Sequence, residues 1–312
     1  MQQTNKPDIT PLNANTNQPL WSVMIPTYNC ADYLRLTLTG VLAQDPGPDQ
    51  MQIEVVDDGS TKDDPEAVVR ELGSGRVQFY RQPHNVGAIA NFNTCVQRSR
   101  GKLVHLLHGD DLVHAGFYRQ LEAPFLENEA VGAAFCRFNY MDEHGNHRLT
   151  TRPLKPSSGI LTHALPLLAV SNRIGTPSIV VRRQVYETIG GYNHQLFHSA
   201  DWEMWVRIAS QYAIWYETEA LASYRVHSQS DTSRLFNTGA NMQDRRNCIA
   251  ACRQYLPPRQ ANHLTRKALG YSGLYGLRLA SRLARTGRWQ TSWVQLREAT
   301  ICLLKSFQPR PA

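Results

Sequence analysis

Three apolar runs of strand length, each closed by a polar cluster and separated from the next by a helix-forming stretch, restrict this chain more than any other feature. The runs are WSVMIPTYN (Trp21 to Asn29), MQIEVVDDGS (Met51 to Ser60) and KLVHLLHGDD (Lys102 to Asp111). Short runs rich in apolar and β-branched residues, stopped by Pro, Gly, Asp or Asn, read as strands closed by turns. Between the first two, Tyr33, Leu34, Leu38, Val41 and Leu42 recur at helical spacing, which predicts a helix over Ala31 to Ala43 capped by Asn29. A helix around Pro65 to Leu72 leads to a strand in RVQFY, and a helix over Ala88 to Arg98 leads to the third run. Strands alternating with helices through short connections build an α/β fold, a mostly parallel sheet flanked by helices whose ligands bind at the carboxyl ends of the strands. Three polar strand ends on one sheet edge therefore predict a binding crevice.

Beyond this core the alternation loosens. VGAAFCRFNYMDEHGNHR reads as a strand and a turn, Leu149 to Gly159 as a long loop, and TPSIVVRR (Thr176 to Arg183) as a further strand. A double-glycine turn then precedes an amphipathic helix in which Trp202, Trp205, Val206 and Ile208 surround Asp201 and Glu203. From about Asn241 the pattern is helical. The expected division is a disordered leader over residues 1–19, poor in apolar residues, a catalytic α/β domain over 20–235 and a basic helical region over 236–312. No stretch approaches the roughly eighteen apolar residues of a spanning helix. The six cysteines form no CxxC pair, which fits reduced thiols in a cytoplasmic protein and argues against a zinc site. Charge is unevenly placed: from Arg253 onward eleven Lys or Arg face the single acid Glu298, so this segment carries about +10 of a net +7 and the rest about −3.

The adjacent carboxylates Asp110 and Asp111 repel each other. Gly-Asp-Asp is ordinary turn chemistry. Aspartates at the mouth of a nucleotide-sized crevice have a second use, as hard oxygen ligands for Mg²⁺ or Mn²⁺ shared with substrate phosphates.

Four segments in order resemble the inverting, nucleotide-sugar-dependent glycosyltransferases of family 2, whose fold is GT-A. They are VMIPTYNCADYLRLTLTGVLAQ, IEVVDDGSTKDD, NVGAIANFNTCVQRSRGKLVHLLHGDD and IGGYNHQLFHSADWEMWVRIA, and the likeness covers roughly Ser22 to His227. It implies that Pro26, Thr27 and Tyr28 line the base and ribose pocket, that Asp57 and Asp58 hydrogen-bond the nucleoside, and that Asn93 and His108 belong to the donor site. It implies further that Asp110, with Asp111 beside it, binds a Mg²⁺ or Mn²⁺ ion and that Asp201 is the general base. The donor would be a nucleoside-diphosphate sugar. The acceptor would be a hydroxyl of a glycan or lipid-linked glycan, in the building of a cell-surface polysaccharide or lipid-linked glycan.

Two positions depart from the family pattern. His108 replaces the first Asp of the metal motif and brings no negative charge, and Phe92 stands where many relatives carry Arg. Simpler roles stand beside the sharper ones: Asp57 and Asp58 also fit a plain turn, Asp201 a helix N-cap, and Trp202 and Trp205 core packing as well as a sugar platform. Glu203 is the rival base. Arg225 and His227 resemble an Arg-x-His element near the donor diphosphate, and also suit a surface. In the basic tail Arg278, Arg282 and Arg285 share a helical stripe, with Leu274, Leu277, Trp289 and Trp293 supplying apolar contacts. That combination suits either a packed hairpin or peripheral contact with the inner face of the plasma membrane. No nucleic-acid-binding motif is present. A noncatalytic nucleotide-sugar-binding or scaffold subunit is the alternative function.

Overall fold

The predicted alternation is realised as three successive crossover units: β1 (Trp21–Thr27), α1 (Ala31–Leu42), β2 (Met51–Asp57), α2 (Pro65–Gly73), β3 (Gln78–Arg81), α3 (Ala88–Arg98) and β4 (Leu103–Leu106). The computed structural model describes residues 6–13, 18–228 and 231–308, with side chains in the last segment from residue 234 onward. There follow β5 (Leu112–Val113), α4 (Phe117–Glu127), β6 (Val131–Met141), β7 (His147–Thr150), β8 (Gly159–Ile160), α5 (Ala164–Val170), β9 (Ile179–Arg182), α6 (Arg183–Ile189), α7 (Ala200–Ala209) and β10 (Ala213–Arg225). Helices α8 (Asp231–Thr238), α9 (Ala240–Cys252), α10 (Pro258–Arg285) and α11 (Trp289–Phe307) complete the described chain.

The described residues form two compact units, one from those within Met1–Leu161, Ile174–His194 and Tyr212–Val226, the other from those within Thr162–Arg173, Gln195–Gln211 and His227–Ala312. This replaces the expected split at residue 235. The segments carrying α5 and α7 cluster with the C-terminal helices, because α5 packs on α10 and α7 packs on α9. Part of the expected disordered leader is ordered instead: Ile9 is buried, Gly191 N–H donates to Pro7 O at 2.8 Å, and Thr10 pairs with Gln97. An apolar side chain and backbone carbonyls with partners supply what the composition did not announce. Residues 1–5 and 14–17 of that leader lie outside the described residues.

The first unit holds a ten-stranded sheet in the order β3-β2-β1-β4-β9-β6-β10-β5, with β7 on β6 and β8 on β10. β3, β2, β1 and β4 are parallel, β9 runs antiparallel between β4 and β6, and β6 and β10 are again parallel. All seven residues of β1 and of β2 are buried, as expected of strands covered on both faces. The chain winds from β1 outward to β3 and then returns to lay β4 on the other side of β1. That reversal opens a topological switch point between the carboxyl ends of β1 and β4.

Asn29 does not cap α1. It has a positive φ of 50° and its side-chain oxygen accepts from the amides of Thr61 and Lys62, tying the end of β1 to the loop after β2. Asp63 provides the cap instead, accepting from Ala31 N–H at 2.7 Å. The expected strand over Thr176 to Arg183 begins at Ile179, since Thr176–Ser178 close a 3₁₀ turn.

In the second unit α10 and α11 form a hairpin. A Cβ at Gly273 would lie 2.6 Å from Leu303 Cγ and one at Gly276 2.8 Å from Ala299 Cβ, so the two glycines permit the close approach of the helices. No described helix is long and apolar enough to cross a membrane.

Candidate active site

The first unit gathers its polar strand ends at the switch point. After β4 the backbone crosses over the end of β1, where Gly109 N–H donates to Pro26 O at 3.0 Å. A Cβ at Gly109 would meet Thr27 Oγ1 at 3.0 Å and Cys30 Sγ at 3.2 Å, so the crossing is tight and a larger residue would have to displace one of these side chains. On the other side of β1, Asp58 N–H donates to Thr27 O at 2.9 Å. Pro26, Thr27 and the ends of β2 and β4 are thus joined by backbone hydrogen bonds, with Tyr28 projecting 46% exposed beside them.

His108, Asp110 and Asp111 offer ligand atoms that all lie within 4.8 Å of one another. The turn that carries them is held from two directions. Thr37 on α1 donates to Asp111 O at 2.8 Å, and the buried Arg225 at the end of β10 donates its N–H to Asp111 Oδ1 and its Nε–H to Asp110 O, both at 2.8 Å. Arg225 also lies over the Tyr33 ring, 4.5 Å from its centroid. Asp111 Oδ2 is buried and has no hydrogen-bond partner among the described residues, with His108 Nδ1 3.9 Å away. Burial, and then the neighbouring Asp110 charge, hold the Asp111 carboxyl well above the usual range. An orphaned carboxylate oxygen among two further hard or borderline ligands fits a divalent cation. Burial and the Asp110 charge push the neighbouring Cys30 thiol up to about 12.

Other residues expected at the donor site are committed to the scaffold. Asp57 is fully buried and accepts from Ser60 N–H, Ser60 Oγ–H and Arg81 Nε, so it shapes the turn and presents no free face to a nucleoside. Asp58 accepts from Val86 and Gly87 N–H at 2.8 and 3.0 Å, and desolvation raises its carboxyl. The Asn93 amide clamps the double-glycine turn, donating to Tyr192 O at 3.0 Å and accepting Tyr192 N–H at 2.7 Å. Phe92 stacks on His108.

In the second unit Asp201 is partly buried in the first turn of α7. Its Oδ2 accepts from Asn172 Nδ2 at 3.0 Å and its Oδ1 from Trp202 N–H at 2.6 Å. Burial pushes its carboxyl up to about 6, against the hydrogen bonds from Trp202 and Asn172, which lower it. The Asp244 charge adds to the rise and that of Arg245 opposes it. Asp244, fully buried on α9, accepts the amides of His198 and Ser199 at 2.9 and 2.7 Å and so fixes the entry to α7. Glu203 is also fully buried, between Arg207 Nη2 at 2.9 Å and Tyr255 Oη at 2.6 Å. That enclosure removes it as the rival base. Trp202 and Trp205 are 1% exposed and Trp202 Nε1 donates to Leu168 O, which makes them core residues and excludes a sugar platform.

Comparison with known proteins then decides the class. The sequence profile described as "Glycosyl transferase family 2" matches residues 22–190, more than half of the chain. The chain belongs to glycosyltransferase family 2. It is 27% identical over 249 residues to an uncharacterized protein of Mycobacterium tuberculosis, covering 76% of this chain and 77% of that one. It is 26% identical over 233 residues to an uncharacterized glycosyltransferase of Rickettsia typhi, covering 72% and 70%. Among solved structures, Staphylococcus aureus TarS 1–349 in complex with UDP-GlcNAc superposes with a TM-score of 0.64 at 16% identity, covering 92% of this chain and 89% of that one. The mannosyltransferase PcManGT of Pyrobaculum calidifontis, in complex with GDP-Man and Mn²⁺, gives 0.56 at 15% identity, covering 97% and 90%. These likenesses establish the GT-A fold.

For this family-2 glycosyltransferase, sequence reasoning named Pro26, Thr27, Tyr28, Asp58, His108, Asp110 and Asp111, and the fold brings them to the ends of three adjacent strands. It did not find Asn172, Asp244 or Arg245 around Asp201, nor Thr37 and Tyr33 around the acidic turn. None of these carries a local signal, since each acts on a residue far along the chain.

Proposed function

We propose that this glycosyltransferase moves one sugar, with inversion, from a nucleoside diphosphate to an acceptor hydroxyl. The observation that supports the reading most is the convergence of the β1, β2 and β4 ends at a topological switch point, with a cation-fitting acidic turn among them. Asp110 and Asp111, with His108 as a neutral third ligand, would hold Mg²⁺ or Mn²⁺. Such an ion, when bound, supplies Lewis-acid stabilisation to a departing diphosphate.

The chain's own residues account for the rest. Pro26, Thr27 and Tyr28 receive the nucleoside, with Asp58 beside them. Asp201 takes the proton from the acceptor hydroxyl as that oxygen bonds to the anomeric carbon, and the bond to the diphosphate breaks with its electron pair on the leaving group. A single displacement inverts the configuration. A carboxyl pushed up to about 6 is ionised at neutral pH and is a stronger base than an ordinary aspartate. The solved relatives' complexes with UDP-GlcNAc and GDP-Man support a nucleoside-diphosphate sugar as the donor. We assign the acceptor to a glycan or lipid-linked glycan of the cell surface, and the enzyme to the cytoplasmic side of the plasma membrane, held peripherally.

Incubation with a panel of nucleotide sugars and Mn²⁺ tests this reading through slow donor hydrolysis. Release of nucleoside diphosphate from at least one donor is expected, with Asp110→Asn and Asp201→Asn both losing it by about 10²–10⁴-fold. Silence of the wild type toward every donor, or turnover indifferent to Asp201→Asn, counts against it.

A further inference from the structure

The hairpin of the second unit exposes more apolar surface than its packing requires. On α11, Trp289, Trp293, Leu296, Leu304 and Phe307 are 69, 70, 37, 60 and 75% exposed. At about 100° per residue these positions fall within about 80° of arc, a row along a helix of about 28 Å interrupted by the exposed Thr300. The other sides of α11 are occupied: Ala299 and Leu303 meet the glycines of α10, and Glu298 and Cys302 meet Arg246 of α9. The row lies opposite the α9 side and alongside the α10 seam.

α10 carries the complement. Lys267, Arg278, Arg282 and Arg285 are exposed and fall on one stripe, and their side chains make no hydrogen bond or ion pair among the described residues. Gly276 lies where α10 meets both neighbours, since an added Cβ would meet Ala299 of α11 and Met242 of α9, and the basic stripe is about 180–240° away from it. Both rows therefore turn away from α9, the apolar row on the outer side of α11 and the basic row on the outer edge of α10. The hairpin's single acid, Glu298, is buried in a pair with Arg246.

We propose that this face of the α10–α11 hairpin docks on an anionic lipid bilayer, with the α11 row entering the headgroup–acyl boundary and the α10 cations over the phosphates. The proposal rests on the peripheral placement argued above and names the surface and the lipid class. Exposed indoles beside unpaired Lys and Arg, on helices too polar to span, are the composition of an interfacial helix. A second copy fits the face less well, because an isologous contact would bring two rows of four cations together.

Co-sedimentation of the full chain with vesicles of phosphatidylcholine alone, or of phosphatidylcholine with phosphatidylglycerol, tests the proposal. Binding to the anionic vesicles is expected, weakening as salt is raised. Tryptophan emission should shift to the blue, and the shift should be lost in Trp289→Ala/Trp293→Ala, which separates these two from the buried Trp21, Trp202 and Trp205 and the half-buried Trp215. Trp289→Ala/Trp293→Ala should lower vesicle affinity about tenfold or more. Replacing the four cations by Gln should lower it on the order of a hundredfold or more. Donor hydrolysis in solution should be unchanged in both variants, so failure of the catalytic reading is seen separately. Wild type that ignores anionic vesicles, or variants that bind them as well as wild type, overturns the proposal. A dimer dispersed by the tryptophan substitutions, without vesicle binding, reassigns the face to a second copy.

Discussion

Phe92 and His108 stack on each other, ring centroids 4.8 Å apart and planes 23° from parallel. They are the two positions at which the resemblance implies Arg and Asp instead, so the two differences form one contact and are expected to be energetically coupled. His108→Asp alone places a third carboxylate beside Asp110 and Asp111 and should destabilise the metal-free protein. It should also tighten Mn²⁺ binding about tenfold by adding a charged ligand. Phe92→Arg alone should lose the stacked contact, while in the double variant the guanidinium faces the new carboxylate. A denaturation cycle without metal should show the double variant at least about 1 kcal/mol better than the sum of the singles. Additivity would mean that the two sites changed independently.

The acid limb of turnover should follow the surroundings of Asp201. With the carboxyl pushed up to about 6 by burial, activity is expected to fall below that pH as the base becomes protonated. Asn172→Ala removes a hydrogen bond that favours the charged form, so the limb should move to higher pH by roughly one unit. A pH–rate profile of both proteins checks the sign, and an unmoved limb would assign it to another group.

The same shift predicts a stability cost. The folded-state carboxyl lies above its ordinary value of 3.8, so folding takes up a proton between these values. The favourable contribution is full below the unfolded value and is lost as pH rises through about 6. Asp201→Asn should therefore unfold later than wild type at pH 8, by up to about 3 kcal/mol, with the advantage vanishing at acid pH. Thermal melts across that range decide it, and a variant less stable at every pH would show that the carboxylate is a structural cap.

The three crossover units were legible because their signals are local: apolar runs of strand length, helical spacing between them, and turn residues at each end. α4 was missed because Pro124 lies inside it and reads as a breaker. β5 and β8 are two-residue bridges too short to carry a period. The site was legible as far as its strand ends, and no further. Asp111 is separated by 114 residues from the Arg225 amide that it accepts, and Ser199 by 45 from Asp244. Such partners are chosen by tertiary packing and leave no mark in sequence spacing. The hydrogen bonds of Asp57 and Asn93 have the same cause, since a polar side chain enclosed by folding takes whichever backbone groups the turn leaves unpaired.

Glu203, Arg207 and Tyr255 should behave as a folding unit and not as part of the chemistry. Glu203 and Arg207 are both buried and paired at 2.9 Å, so Glu203→Gln removes a carboxylate that faces a buried guanidinium. A loss of about 3–5 kcal/mol in denaturant unfolding is expected. The folded fraction should keep the wild-type pH profile. Tyr255→Phe should cost less, about 1–2 kcal/mol, for one hydrogen bond to a charged acceptor. A fully stable Glu203→Gln variant without turnover would restore Glu203 as a candidate base.

Asp244 is expected to act on Asp201 from behind, by position and by charge. Its carboxylate accepts the amides of Phe197, His198 and Ser199 at 3.3, 2.9 and 2.7 Å, immediately before the helix that presents Asp201. Its charge raises the Asp201 carboxyl. Asp244→Asn keeps one acceptor but turns an amide toward the same donors, so the entry to α7 should loosen, with kcat reduced, KM for the donor little changed and stability lowered by about 2 kcal/mol. Loss of the charge should also move the acid limb of the pH–rate profile to lower pH, opposite to Asn172→Ala. Those opposed directions separate the electrostatic role from general loosening. If Asp244→Asn moved the limb upward, or left it in place while turnover fell, Asp244 would be no more than the cap of α7.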